Sequence, residues 1–252
     1  MEDDLKRIFA AVLTIAALSG ASANAADLAA RPYTKAPAMV AVVYDWSGFY
    51  IGINGGGGTS HKCWDAVAAG GAFIAAEGCH NATGGTVGGQ IGYRWQSSNW
   101  VFGLEGQGNW ADFAGDNTSL FIATDRNHSK IDSLGLITGQ VGYAWNSVLL
   151  YVKGGGAVVG DKYDVFDVTS GVRIASSKET RWGAAIGTGL EFGFAPNWSV
   201  GIEYDHLFLG HRNNDFTTPL GIYAGTERIG QDVDLGLVRL NYRFGGPLIA
   251  KY

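Results

Sequence analysis

From Trp46 onward, apolar and polar positions alternate with a period of two, the mark of strands with one face against an apolar medium. Trp100, Phe102, Leu104 and Trp110 share one parity, while Gly103, Glu105, Gln107 and Asn109 take the other. The same alternation runs through Val87–Trp95, Trp182–Phe194, Trp198–Tyr204 and Val238–Phe244. Weaker versions occupy about 46–57, 131–145 and 148–159, so the pattern predicts eight strands.

The connections fall into two lengths. Gln96–Asn99, Asn146–Ser147 and Ala195–Asn197 are tight turns of four, two and three residues. The stretches 58–82, 112–130, 160–178 and 210–231 are longer, polar and less regular, and are expected to be loops. Short turns on one rim and long loops on the other predict an all-β fold: an eight-stranded antiparallel transmembrane β-barrel with long extracellular loops and short periplasmic turns. A strand of about 11 residues tilted by about 45° spans roughly 26 Å, close to the apolar band such a barrel needs. A soluble eight-stranded barrel or sandwich is the competing architecture. Two features count against it. Trp95, Trp100, Trp145, Phe194 and Trp198 sit on the apolar parity beside the short turns, where a membrane barrel carries its aromatic girdle. The polar parity is mostly glycine, too small and too sparsely charged for a solvated outer face.

The start of the chain adds an export step. Lys6 and Arg7 precede an apolar run from Ile8 to Leu18 and then Ala23-Asn24-Ala25, so residues 1–25 read as a cleaved signal peptide, with Glu2, Asp3 and Asp4 atypical of one. Residues 26–45 read as an extended periplasmic leader, 46–244 as the barrel and 245–252 as a tail. After residue 25 the longest apolar stretch is Ala38–Val43, too short for a helix to cross a bilayer, so any crossing is by strands. Glycine is 39 of 252 residues, roughly twice the usual 7% share, and charged residues are only 16%. A formal net charge of −5 excludes nucleic-acid binding by bulk electrostatics. Cys63 and Cys79, the only cysteines, lie in the first long loop, and an exported chain is expected to join them.

On the inward parity lie Arg94, Lys153, Arg239 and Arg243 against Glu105, Glu191, Glu203 and Asp205, four charges of each sign. Unpaired charge in a low-dielectric interior is costly, so these are expected to form a connected network. Eight strands enclose an interior that side chains fill, which favours a plug over a selectivity constriction. His128-Ser129 and His206 near Asp205 superficially suggest hydrolytic groups, but no nucleophile elbow accompanies them, and the expectation is a non-enzyme. No metal-ligand spacing is present: no two histidines stand at i, i+4 and the cysteines lack CxxC spacing.

Ala26-Asp27-Leu28, Arg31-Pro32-Tyr33 and Tyr44-Asp45-Trp46-Ser47-Gly48-Phe49-Tyr50-Ile51-Gly52 closely resemble the mature start of Omp25/Omp31-type small outer-membrane proteins of alphaproteobacteria. The likeness continues through Gly92-Tyr93-Arg94-Trp95, Tyr151-Val152-Lys153-Gly154-Gly155 and Leu240-Asn241-Tyr242-Arg243-Phe244. It implies an eight-stranded outer-membrane barrel, surface-exposed and immunogenic, with a structural, envelope-integrity role. Its expected partners are outer-membrane lipid, lipopolysaccharide and, during insertion, the barrel-assembly machinery. Porin-like and haem-binding labels also occur in that family. If haem is bound, His61, His80 and His128 are the candidate ligands, with Trp64, Phe121 and Tyr223 available to cover the ring.

Overall fold

The computed structural model describes residues 44–68 and 70–245. The expected signal segment, nearly all of the leader and the tail beyond Gly245 lie outside the described residues. Eight strands follow one another: β1 (Gly48–Val67), β2 (Phe73–Ser97), β3 (Trp100–Thr118), β4 (Asp125–Trp145), β5 (Val148–Asp167), β6 (Arg173–Ala195), β7 (Trp198–Thr217) and β8 (Tyr223–Phe244). Each pairs antiparallel with its neighbour, and β1 closes on β8 from Phe49↔Phe244 to Val67↔Thr226. The result is a closed ring.

The three tight turns lie where expected, and left-handed Ser98 and Asn146 tighten two of them. The long loops do not exist as such. Most of 58–82, 112–130, 160–178 and 210–231 is strand, and the upper connections shrink to 68–72, 119–124, 168–172 and 218–222. At a rise of about 3.3 Å per residue and a tilt of about 45°, even the shortest strand, with 19 residues, climbs roughly 44 Å. That exceeds an apolar band of about 25 Å by most of another band's height.

The outer wall marks the band. Phe49, Ile51, Ile91, Phe102, Leu104, Ile186, Ile202 and Val238 all face outward and are exposed. The five predicted girdle residues, Trp95, Trp100, Trp145, Phe194 and Trp198, are exposed at its lower edge. The four tryptophans stack edge-on or tilted against Tyr93, Tyr143 and Tyr242. Exposed Trp110 and Trp182 mark the upper edge. Above them the outer wall turns polar, with ion pairs Asp112–Lys130 and Asp132–Lys162 bridging neighbouring strands.

Inside, the order is reversed. The upper wall surrounds Trp64, Tyr163, Ala175, Phe216 and Ile229, all buried. Below them a larger apolar layer holds Phe113, Ile131, Leu134, Leu136, Val159, Leu207, Val233 and Leu235. The strands therefore turn apolar residues outward throughout the band, inward as well in its upper part, and chiefly inward above it. Bulges assist the change. Pairing slips at Ile131/Ser133 in β4 and at Phe208/Gly210 in β7, where Gly210 adopts φ +63°, a left-handed conformation suited to glycine.

One seam is incomplete. β6 and β7 pair from Ala195↔Trp198 up to Ala184↔Phe208 and then only at Ser176↔Thr217. Arg181, fully buried at this seam, donates to the carbonyls of Gly210 and Ile229 and pairs with Glu179 at 2.8 Å. Its guanidinium thus ties β7 and β8 together where the β6–β7 ladder is interrupted.

Candidate functional site

Strand alternation sends all eight predicted inward charges into the lumen, each at most 6% exposed. They form one main cluster and one outlier. Arg94 on β2 donates two parallel bonds to Glu191 on β6, at 3.1 and 2.8 Å, the planar fork that suits a carboxylate. Ser199 and Asn241 also donate to Glu191. Arg239 bridges Glu105 and Glu203, and Lys153 lies 2.7 Å from Glu203, 3.1 Å from Asp205 and 3.8 Å from Glu105. Arg243 stands apart. It donates to the carbonyls of Ser47 and Pro196 near the lower rim, with Asp45 at 3.9 Å.

Glycine makes the room. Tyr50 pairs across from Gly92 and Tyr151 from Gly189, and each ring lies where a Cβ on that glycine would stand. The hydroxyls then donate to Glu105 at 2.6 Å and to Glu203 at 2.5 Å. Arg94 lies over the Tyr50 ring, 4.5 Å from its centroid. A neutral ladder of Asn54, Gln90, Asn109 and Asn241 continues the network upward. Sequence reading missed the tyrosines, although Tyr50 has the parity opposite to Phe49 and Ile51, which was the available signal. Below the charges, Tyr44 and Trp46 pack with Val101, Ala144, Leu149 and Tyr151. These two aromatics floor the lumen, so Tyr44, near the end of the expected leader, packs inside the barrel. A further pair, Lys62–Asp161 at 2.6 Å, is fully buried above the apolar layer, with Tyr163 beside the ammonium.

The cysteines are bonded, Cys63 to Cys79, at directly opposed positions of β1 and β2 on the outer wall rather than in a loop. Closing a 16-residue span is worth on the order of 3 kcal/mol in the chain-entropy model, less where a hairpin already holds the two ends. Unreduced protein is expected to take up no thiol label, and the double change Cys63→Ser/Cys79→Ser to leave the barrel folded. Labelling of both cysteines without reductant would contradict the bond.

The three histidines proposed for haem do not converge. His80 points into the lumen, with its two ring nitrogens on Asn117 and Ser129. His61 is exposed on the outer wall against Asn81, and His128 packs edge-on against Phe166 on the strand face opposite buried Asn127 and Ser129. Alternation separates them: one parity enters the lumen and the other leaves it. His128 and Ser129 likewise face opposite ways. So do His206, which bonds Asp234 on the outer wall, and buried Asp205.

Residues 11–226 match a family described as "Outer membrane protein beta-barrel domain". The chain belongs to that family. Over 213 residues it is 30% identical to the 31 kDa outer-membrane immunogenic protein of Brucella melitensis biotype 1, covering 79% of this chain and 86% of the relative. It is 29% identical over 181 residues to the 22 kDa outer membrane protein of Rhizobium leguminosarum bv. viciae, covering 71% of each. Among solved structures, the outer membrane protease OmpT of Escherichia coli superposes with a TM-score of 0.51 at 11% identity, covering 78% of this chain and 97% of that one. At that identity the likeness concerns the fold alone. The protein is therefore an outer-membrane β-barrel of the Omp25/Omp31 type, and its apolar band is the part that meets lipid.

Proposed function

We propose that this outer-membrane barrel is a sealed structural element that carries a rigid, polar-walled extension above the membrane for surface contacts. The supporting observation is the stacking of three buried layers across the lumen: the Arg94–Glu191/Arg239 network, the apolar layer around Phe113 and Leu235, and Lys62–Asp161 with Arg181. Ions crossing such a stack would have to shed water into an apolar layer that offers no replacement ligands. A narrow porin is the alternative reading, and conductance decides between them. The refolded full chain in a planar bilayer is expected to show no stable open steps. Regular porin-sized steps would overturn the sealed reading.

The wall just above the band supports a lipid-facing role. Lys130, Lys162 and Lys178 stand opposite one another across β4, β5 and β6. Like charges so placed repel, and Asp112 and Asp132 offset two of the three. Anionic groups of lipopolysaccharide at that height complement the row. The immunogenic naming of the Brucella relatives fits an exposed upper wall. No hydrolytic role is assigned: the histidine–acid pair His206–Asp234 lies on the lipid side of the band, where water is scarce.

A further inference from the structure

At the extracellular mouth the wall encloses a chamber of about 300 Å³. Its charged lining consists of Glu77 from β2, Asp125 from β4 and Glu227 from β8. β5, β6 and β7 contribute apolar walls, among them Val165, Ala175 and Phe216. Three features distinguish it from an ordinary acidic rim. Glu77 is buried, and among the described residues no lysine or arginine forms an ion pair with Glu77 or Glu227. Asn127 also lines the chamber and is 1% exposed. Its amide nitrogen donates to Glu77 at 2.8 Å, which orients the side chain, and its Oδ1 has no partner. Glu227 Oε2 is buried and equally unpartnered.

Buried acceptors without donors are costly, and a ligand that brings donors relieves that cost. We propose that the chamber binds an organic cation, a primary ammonium on a short apolar body, with its N–H groups shared among Glu77, Glu227 and Asn127 Oδ1. An ammonium carries three donors, matching the three acceptors. A bare metal ion fits less well, because hard cations require several oxygens at about 2.0–2.6 Å. Among the described residues the only close convergence of three ligand-type groups is His61, Cys63 and Cys79 on the outer wall, where the disulfide occupies both sulfurs. The chamber's size, at the small end for ligand sites, admits a body of about ten heavy atoms.

Binding is linked to protons. Burial, together with the neighbouring charges of Glu77 and Asp65, pushes the Glu227 carboxyl up to about 8. Burial likewise raises Glu77, and Asp125 and Asp65 raise it further. At neutral pH the empty site therefore holds a proton on Glu227, which an arriving cation displaces.

The test is calorimetric titration of the refolded full chain in detergent micelles with n-pentylammonium, 1-pentanol and calcium chloride, each separately. Pentylammonium is expected to bind one to one, with proton release at pH 7 shown by comparing buffers of different ionisation enthalpy. Pentanol and calcium are expected not to bind. Glu77→Gln/Glu227→Gln should weaken the amine by at least tenfold. If that double variant does not refold, Glu227→Gln alone, at the less buried position, should weaken the amine and abolish the proton release. Pentanol binding as well as the amine, calcium binding in its place, no amine binding, or amine binding unchanged by Glu227→Gln would each overturn the assignment.

Discussion

Replacing Arg94 with alanine is expected to lower the unfolding free energy of the barrel by about 3–5 kcal/mol. The substitution leaves Glu191, 1% exposed, without the paired guanidinium that neutralises it. Ser199 and Asn241 still donate to that carboxylate, but neutral donors do not replace a full charge in a lumen remote from water. The guanidinium also covers Tyr50, so its loss loosens the ring that positions the hydroxyl on Glu105. Urea titration of the refolded protein, followed by the mobility difference between folded and heated forms on a gel, reads the loss. The double change Arg94→Ala/Glu191→Ala should recover a large part of it, since both charges then leave together. If Arg94→Ala alone shifts the midpoint by less than the error of the titration, Glu191 is not desolvated and the plug is misread.

Phe113→Ala is expected to be comparably severe, about 3–5 kcal/mol, for an unrelated reason. Phe113 is fully buried in the apolar layer between the two charged layers, so its removal leaves a hole that neighbouring strands cannot collapse to fill. Phe102→Ala, on the same strand but facing lipid, serves as the comparison. Acyl chains are fluid and move into vacated space, so its loss should be clearly smaller. Equal losses at the two positions would place Phe113 outside any tightly packed layer.

The difference between these two phenylalanines also explains what was legible in the chain. Within the band the alternation is uninterrupted and its outward parity mostly apolar, the His206–Asp234 pair being an exception. The strands there, the tight turns and the inward direction of Arg94, Glu105, Lys153, Glu191 and Arg239 could all be read directly. Above the band two things change together. The apolar side moves from the outer to the inner face, and bulges at Ile131/Ser133 and Phe208/Gly210 advance the phase by a residue. A fixed-parity reading then meets Lys62, Trp64, Asp161 and Tyr163, which share the lumen, as a mixture of polar and apolar residues and takes it for loop. His80 entering the lumen while His61 and His128 leave it follows from the same geometry, and no motif records it. The Lys62–Asp161 pair spans 99 residues and leaves no local trace. The mouth chamber was invisible for a similar reason, since Glu77, Asn127 and Glu227 come from three separate strands.

The reversal of the apolar face also gives the two storeys opposite rules of inheritance. Below Trp110 and Trp182, a codon change that places a lysine on an outward position meets lipid and is selected against, whereas a small polar residue inward joins an existing network. Above them the outward lysine meets water and is tolerated, whereas an inward polar residue without a partner such as Lys62 has in Asp161 is left against Trp64, Tyr163 or Phe216. Drift along a single strand therefore explores one face in its lower half and the other in its upper half.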